Sequence, residues 1–350
     1  MSIWVLGATG RVGRAVTRQL LDRSDTVVLV GRESERLREM AETTGLRVVI
    51  ADTADRIAAA IERERPAVVI NTIGDYAKSA TTIARACLRG GGHYLDQAAD
   101  LTAVTRLLDL HDEAAAAGST LVTGAGFGVL ATEAVVVALC EGRPAPAGVR
   151  VDALASVAVE DGLLGTALAA SIIDVLVTGG RRYRDGRLVR SRLGGSAQRL
   201  LLPDGEQVTS SEAPSAELLA AQRASGAPDV ILTTAMMPAS PAVRAVLPVA
   251  ERLLALEPLR RLMIRRLAAT RVKAAPRPRA HSWGHAVVTW PDGTSREGWL
   301  RIGEAMDFTA AVSAEIAARL VRGEGKPGAH TPAAAFGPDL ATAAGGELLS

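Results

Sequence analysis

Six short, largely β-branched apolar runs alternate with helical patterns along the first 125 residues, and this alternation limits the fold more than any other feature. The runs are Ile3–Leu6, Thr26–Val30, Leu46–Ala51, Ala67–Asn71, His93–Asp96 and Thr120–Thr123. The spacing predicts helices near Gly13–Asp22, Ser34–Thr44, Asp55–Arg63, Ser79–Arg89 and Leu101–Ala117. The runs are too apolar to alternate, as strands of a parallel sheet covered on both faces must be. Stacked βαβ units with right-handed crossovers give a doubly wound parallel Rossmann sheet of six strands and five helices over residues 1–125.

Beyond Gly124-Ala125-Gly126-Phe127-Gly128 the pattern changes. Asp185-Gly186, Pro203-Asp204-Gly205 and Pro291-Asp292-Gly293 supply the positive φ that hairpin turns require. Helical patterns near Thr132–Cys140, Gly165–Thr178, Ser215–Ala224 and Pro241–Ala269 lie between the strand runs. Residues 126–305 therefore read as an α+β substrate or dimerisation domain on a mostly antiparallel sheet. A helix at Phe308–Arg322 and Gly/Pro-rich coil from Gly323 to Gly346 are expected to pack back on the first domain, so that 306–350 completes it. The chain of 350 residues is long enough for two domains.

Composition excludes several function classes. With 48% hydrophobic and 22% charged residues the chain is globular, and a net charge of +2 offers nothing to wrap nucleic acid. Of 40 basic residues only Lys78, Lys273 and Lys326 are lysines, a coding bias rather than a binding surface. Two cysteines, Cys87 and Cys140, suit a reducing compartment and exclude a cysteine-built zinc site. The opening Met1–Gly7 has no basic region before its apolar run, and no stretch reaches the roughly 18 apolar residues that span a bilayer. A cytoplasmic protein is the expectation. The basic amphipathic stretch 258–267 would suit an anionic membrane surface, although such a face more often packs on its own core or on the mate of a homodimer.

The chemistry concentrates in Gly7-Ala8-Thr9-Gly10-Arg11-Val12-Gly13, set between the first strand and the first helix. In that context Gly7 makes the tight turn, Gly10 lets a pyrophosphate approach the backbone, and Gly13 lets the helix pack on the sheet. The phosphates then meet N–H groups at a helix N-terminus. A ribose-binding Asp or Glu at the end of the second strand would select NAD. This strand ends instead in Gly31-Arg32, whose guanidinium suits a 2′-phosphate, with Ser34 adding a hydroxyl and Glu33 opposing it. NADP(H) is the expected cofactor. Asp52-Thr53 after the third strand and Asn71-Thr72-Ile73-Gly74 after the fourth are expected cofactor contacts, although Asp52 serves equally as a helix cap.

The residues resemble the saccharopine dehydrogenase-like oxidoreductases, which include actinobacterial trans-acting enoyl reductases. The likeness rests on the Gly7–Gly13 loop, Asn71-Thr72-Ile73-Gly74-Asp75-Tyr76, the run Ala86–Asp96, Gly126-Phe127-Gly128-Val129-Leu130 and the tail Pro327–Gly337. It implies a nicotinamide-dependent oxidoreductase acting on a C=N or activated C=C bond of a small or carrier-bound metabolite. The chain departs from that pattern at Gly74-Asp75, Ala98-Ala99-Asp100 and Ala131-Thr132-Glu133.

A Tyr-x-x-x-Lys pair is excluded, because Ala80, Ala98 and Arg187 stand four residues after Tyr76, Tyr94 and Tyr183, the chain's three tyrosines. The remaining proton donors near strand ends are Asp75, Tyr76, Lys78, His93, Tyr94 and Asp96. Tyr94 and Asp96 share a strand face, so one can orient the other. A partly buried lysine such as Lys78 can be tuned to donate. Tyr94, Asp96 and Lys78 are the catalytic candidates, set against roles as a packed aromatic, a helix cap and a surface charge. His281 and His285 lack a third ligand and read as a surface strand, so no metal is expected. Glu160 and Asp161 end a strand. A second reading is an NADP(H)-binding sensor without turnover.

Overall fold

The computed structural model describes residues 2–349 except 24, 33, 238–246, 248 and 250, and the side chains of Ser34 and Ala167 lie outside that description. Glu33 and the first part of the helix expected at Pro241–Ala269 fall outside the described residues. The chain divides into two units, Met1–Leu130 with Met306–Gly345, and Ala131–Ala305 with Gly346–Ser350.

The first unit is built on β1 (Ile3–Leu6), β2 (Val27–Gly31), β3 (Arg47–Ile50), β4 (Val68–Asn71), β5 (His93–Asp96) and β6 (Thr120–Val122). Helices α1 (Arg11–Asp22), α2 (Ser34–Thr44), α3 (Ala54–Glu64) and α4 (Tyr76–Gly90) connect the first five strands in turn. The expected helix Leu101–Ala117 is broken into α5 (Leu101–Leu108) and α6 (His111–Ala116), with Asp109 and Leu110 between them. Strand burial follows composition: β1 and β4 are wholly buried, whereas β3, at one edge, is half exposed. Trp4, Leu6, Val28, Val69, Ile83 and Tyr94 meet in one core cluster.

The sheet holds seven parallel strands rather than six. Its order is β17-β6-β5-β4-β1-β2-β3, and the added strand comes from the C-terminal segment expected to be coil. The C-terminal strand β17 (Gly328–His330) pairs in parallel with β6, Ala329 opposite Leu121. Its backbone protects the β6 edge that would otherwise be open to pairing. Short helices at Pro332–Phe336 and Asp339–Ala343 follow, so the Gly/Pro-rich tail is structured despite its composition. A three-residue strand gives too little periodicity to be read in sequence.

The second unit opens with the end of α7 (Phe127–Cys140) and contains β7 (Gly148–Leu154), β8 (Gly162–Leu163), α8 (Thr166–Thr178), β9 (Gly180–Arg184), β10 (Arg187–Ser191), β11 (Gln198–Leu201), β12 (Gln207–Glu212), α9 (Glu217–Ser225) and β13 (Asp229–Thr234). It continues with a helix over Glu257–Ala268, β14 (Arg271–Val272), β15 (Ser282–Thr289) and β16 (Ser295–Ile302), and ends with β18 (Glu347–Leu349). Nine strands form one sheet along β10-β9-β13-β7-β15-β16-β18, with β12 joined to β13 and β11 to β12. Among the described residues only the β13–β7 pairing of this sheet is parallel, and each of the three expected Asp-Gly turns joins an antiparallel pair.

Strand alternation divides this sheet chemically. One face carries Val149, Val151, Ala286, Val288 and Leu300, and α7 packs so closely on it that a Cβ on Gly284 would lie 2.6 Å from the Ala131 carbonyl oxygen. The opposite face carries Arg150, Asp152, Thr233, His285 and Glu297. His285 is therefore not on a surface strand. It is 1% exposed in the middle of the sheet, with Nδ1 2.8 Å from Asp152 Oδ2 and Nε2 3.0 Å from Glu297 Oε1, and it stacks on Trp299. His281 precedes β15 and meets Trp283 edge-on. Burial pushes Asp152 up, but the His285 hydrogen bond and the Arg150 charge outweigh it and hold the carboxyl at about 2. Glu160 and Asp161 lie beyond the end of β7, exposed, with Asp161 paired to Arg271. Helix Glu257–Ala268 has no buried residue and ties to α8 through Arg260 and Asp174. Among the described residues no helix is long and apolar enough to cross a membrane, and no group of three His, Cys, Asp or Glu side chains is placed to hold a metal.

Candidate nucleotide site

In the first unit, strand order reverses between β1 and β4, the point where open α/β sheets leave a crevice beyond their C-terminal strand ends. Leu6 and Asn71 are register partners there. The chain then turns at Gly7 with φ +75°, and its N–H donates to the Val30 carbonyl at 2.9 Å. Thr72 Oγ1 donates to the Leu6 carbonyl at 2.7 Å and lies where a Cβ on Gly7 would come within 2.9 Å. Helix α1 starts at Gly10 without a side-chain cap or an acidic residue in its first turn. Gly10 is exposed, and Thr9, Arg11 and Val12 are partly so. Gly13 is buried, and a Cβ on it would sit 2.3 Å from the Gly7 carbonyl oxygen and 2.8 Å from Ala8 Cα. The loop thus folds back on its own helix as only glycine allows, leaving an open helix N-terminus suited to a diphosphate.

Arg32 is exposed just past the end of β2, and Gly31 behind it keeps Leu37 clear, since a Cβ there would lie 3.2 Å from Leu37 Cδ1. Between the loop and α2 lies a cavity of about 410 Å³ lined by Thr9, Arg14, Arg36, Glu39, Met40, Thr43 and Thr44. Arg14 donates to the Thr9 carbonyl at 2.6 Å. Arg14 and Arg36 escaped the sequence reading, although Arg14 directly follows the last glycine of the loop. After β3 it is Thr53, not Asp52, that caps α3, its side chain accepting from Arg56 N at 3.3 Å. Asp52 instead pairs with Arg56 one turn on, at 3.0 Å.

The loop after β4 is held by a chain of buried side chains. Asn71 Oδ1 accepts from Ile73 N at 3.1 Å, and Asn71 Nδ2 donates to the Tyr94 hydroxyl at 3.0 Å. Tyr94 in turn donates to Asp96 Oδ2 at 3.0 Å. The other Asp96 oxygen accepts from Ala98 N, Thr123 Oγ1 and Gly124 N at 3.0, 2.8 and 3.3 Å. Asn71, Tyr94 and Asp96 are each 0% exposed. Burial raises the Asp96 pKa to about 6 despite these donors. Burial and the neighbouring Asp96 also raise the Tyr94 phenol well above its ordinary value. Tyr76 donates to the Asn71 carbonyl at 3.3 Å, and Gly74 adopts φ +79°.

Lys78 is separate from this network. It stands exposed in the first turn of α4, 2.8 Å from Asp75, whose φ of +46° places it at the helix start. His93 lies at the opposite end of β5 from the crevice. Its Nδ1 accepts from Thr120 N at 2.9 Å, fixing the proton on Nε2, and burial lowers its pKa.

Comparisons with known proteins bear on the family of the first unit and on the fold. Residues 3–122 match the family model of the saccharopine dehydrogenase NADP binding domain. A trans-acting enoyl reductase of Mycobacterium leprae is 31% identical over 133 residues, 36% of this chain and 32% of that protein, so the match spans about a third of the relative. The fold resembles saccharopine dehydrogenase (L-Glu forming) of Saccharomyces cerevisiae over the whole of both chains, at TM-score 0.61 and 12% identity. It also resembles an amine dehydrogenase of Mycobacterium smegmatis over 95% of each chain, at TM-score 0.50 and 12% identity. At such identity these two likenesses speak to fold alone.

Proposed function

We propose that this chain, whose residues 3–122 match the saccharopine dehydrogenase NADP binding domain, is a saccharopine dehydrogenase-like, NADP(H)-dependent reductase of a C=N or activated C=C bond in a small or carrier-bound metabolite. The observation that carries this reading is the Gly7–Gly13 loop, closed on α1 so tightly that Gly13 admits no Cβ. Gly7, Gly10 and the N–H groups at Thr9, Arg11, Val12 and Gly13 would hold the diphosphate. Arg32 and Ser34 would hold the 2′-phosphate, Asp52 and Thr53 would border the adenine, and Asn71, Thr72 and Gly74 the second ribose. Bound there, the cofactor would supply a hydride.

Within this reading Tyr94 and Asp96 are positioning residues. Neither reaches solvent, and their hydrogen bonds fix Asn71, which carries the 71–74 loop through Ile73 N. Lys78 is kept as the candidate proton donor for its place beside the crevice-end loop, although it is exposed and not partly buried as expected, and pairs with the exposed carboxylate of Asp75. The test is NADPH consumption against panels of imines and enoyl thioesters. Turnover with one class is expected, and Lys78→Met should lower kcat by roughly a hundredfold or more with NADPH affinity kept. Unchanged kcat would remove Lys78 from proton transfer. One observation favours the sensor alternative: the donors at the strand ends, Tyr94 and Asp96, are buried and satisfied by each other. NADPH binding with no consumption across both panels would establish that reading instead.

A further inference from the structure

Six of the twelve residues from Arg181 to Arg192 are arginines, with Asp185 the single carboxylate among them, in a chain of net charge only +2. Five of them occupy β9 and β10 and Arg192 directly follows; this hairpin ends the nine-stranded sheet, β10 being its edge strand. Like charges stand directly opposite each other at Arg184–Arg187 and Arg181–Arg190, an arrangement that weakens strand pairing. Burial, reinforced by Arg190 and opposed by the Glu251 carboxylate, lowers the pKa of the Arg181 guanidinium. Basic side chains on an edge strand do discourage edge-to-edge association, and a few would suffice for that. The chain uses arginine in place of lysine throughout, so the choice of arginine carries nothing. What needs a reason is the concavity and the excess of arginines over carboxylates around it.

Arg182, Arg184, Val189, Arg190, Ser191 and Arg192 line a cavity of about 260 Å³. Arg182 is matched, by Glu212 and by Ser196 Oγ at 3.1 Å. Among the described residues no carboxylate pairs with Arg184, Arg190 or Arg192. Two lining atoms, Arg182 Nε and Ser191 Oγ, are buried without a hydrogen-bond partner among those residues. Both oxygens of the Glu212 carboxylate beside Arg182 are likewise buried without a hydrogen-bond partner, so it is the exposed Arg184, Arg190 and Arg192 that leave positive charge in the cavity uncompensated.

We infer that the β9–β10 hairpin is a binding site for a phosphoryl group, a monoester or diphosphate, distinct from the nucleotide loop. The forked donors of several guanidiniums match phosphate oxygens two at a time, and the volume admits one or two phosphates. The site lies wholly in the second unit and does not depend on the nucleotide reading. Two sources carry this chemistry: a free phosphorylated metabolite and the 4′-phosphopantetheine arm of a carrier.

Calorimetric titration of the full-length protein with inorganic pyrophosphate at low ionic strength tests the site. Binding is expected in the wild type and, measured below its own melting transition, in Gly13→Ala, whose added methyl group closes the nucleotide loop to a diphosphate. In the double variant Arg184→Gln with Arg192→Gln it should weaken at least tenfold, while the paired Lys substitutions keep part of it. These side chains are exposed, and an unchanged melting temperature checks the fold of each variant. Binding of 4′-phosphopantetheine more tightly than pyrophosphate, through the same arginines, would assign a carrier arm; weaker binding would assign a free phosphorylated compound. Absence of pyrophosphate binding, equal affinity in the Gln variant, or loss in Gly13→Ala alone would overturn the proposal.

Discussion

At the scale of single residues, two positions test the nucleotide unit most sharply. Gly13 has no room for a methyl group, since the contacting atoms are backbone and cannot swing away. Gly13→Ala should therefore cost about 1–3 kcal/mol by overpacking and abolish NADPH affinity, read by thermal melting and by titration. An unaltered melt with retained affinity would mean that the loop is looser than its geometry states. Asp96 makes a separate prediction about pH. Its folded pKa of about 6 exceeds the ordinary 3.8, so the native state holds a proton that the unfolded chain releases. Its contribution is complete below pH 3.8 and is lost as the pH rises through 6, a fall of about 3 kcal/mol. Urea midpoints at pH 4 and pH 7 should show that fall in the wild type, and Asp96→Asn should lack it. A fall of the same size in the variant would place its origin elsewhere.

Among secondary-structure elements, the start of α3 separates a structural residue from a candidate ligand contact. Thr53→Ala should cost about 1 kcal/mol through the lost cap. Asp52→Ala removes only an exposed pair with Arg56 and should cost less than about 0.5 kcal/mol, whatever it does to nucleotide affinity. Sequence alone offered Asp52 as the cap, because its carboxylate can accept from the first turn as well as a hydroxyl can; the structure gives that role to Thr53. The helices and strands of the first unit were legible, since wholly apolar runs and 3.6-residue periodicity leave little choice; β1 and β5 fall at the expected residues. Strand β17 was not, because Gly328-Ala329-His330 has no pattern of its own and becomes a strand only beside β6. His285 was misread for the same reason: alternation placed it on a face, but only the pairing of β7 and β16 on either side of β15 shows that the face is interior there.

Over the whole molecule, two units each have a sheet and a core of their own, and the chemistry that could be assigned from sequence sits in the first. Glycines between a strand and a helix announce a nucleotide because few other uses require all three. Arg14, Arg36 and the β9–β10 arginines did not announce themselves, since in a chain so rich in arginine no single one stands out and only their convergence on a cavity does. A ligand that binds only the folded chain also stabilises it, by about 2.7 kcal/mol at a hundred times its dissociation constant, so nucleotide preference is readable as a shift in melting as well as in heat. The most direct measurement is a pair of binding isotherms, NADPH and NADH, on the wild type and on Arg32→Ala. Tight NADPH binding, weak NADH binding and loss of that difference in the variant are the predicted result. Equal affinities left unchanged by Arg32→Ala would contradict the 2′-phosphate assignment, and failure to bind either nucleotide would contradict the account at its centre.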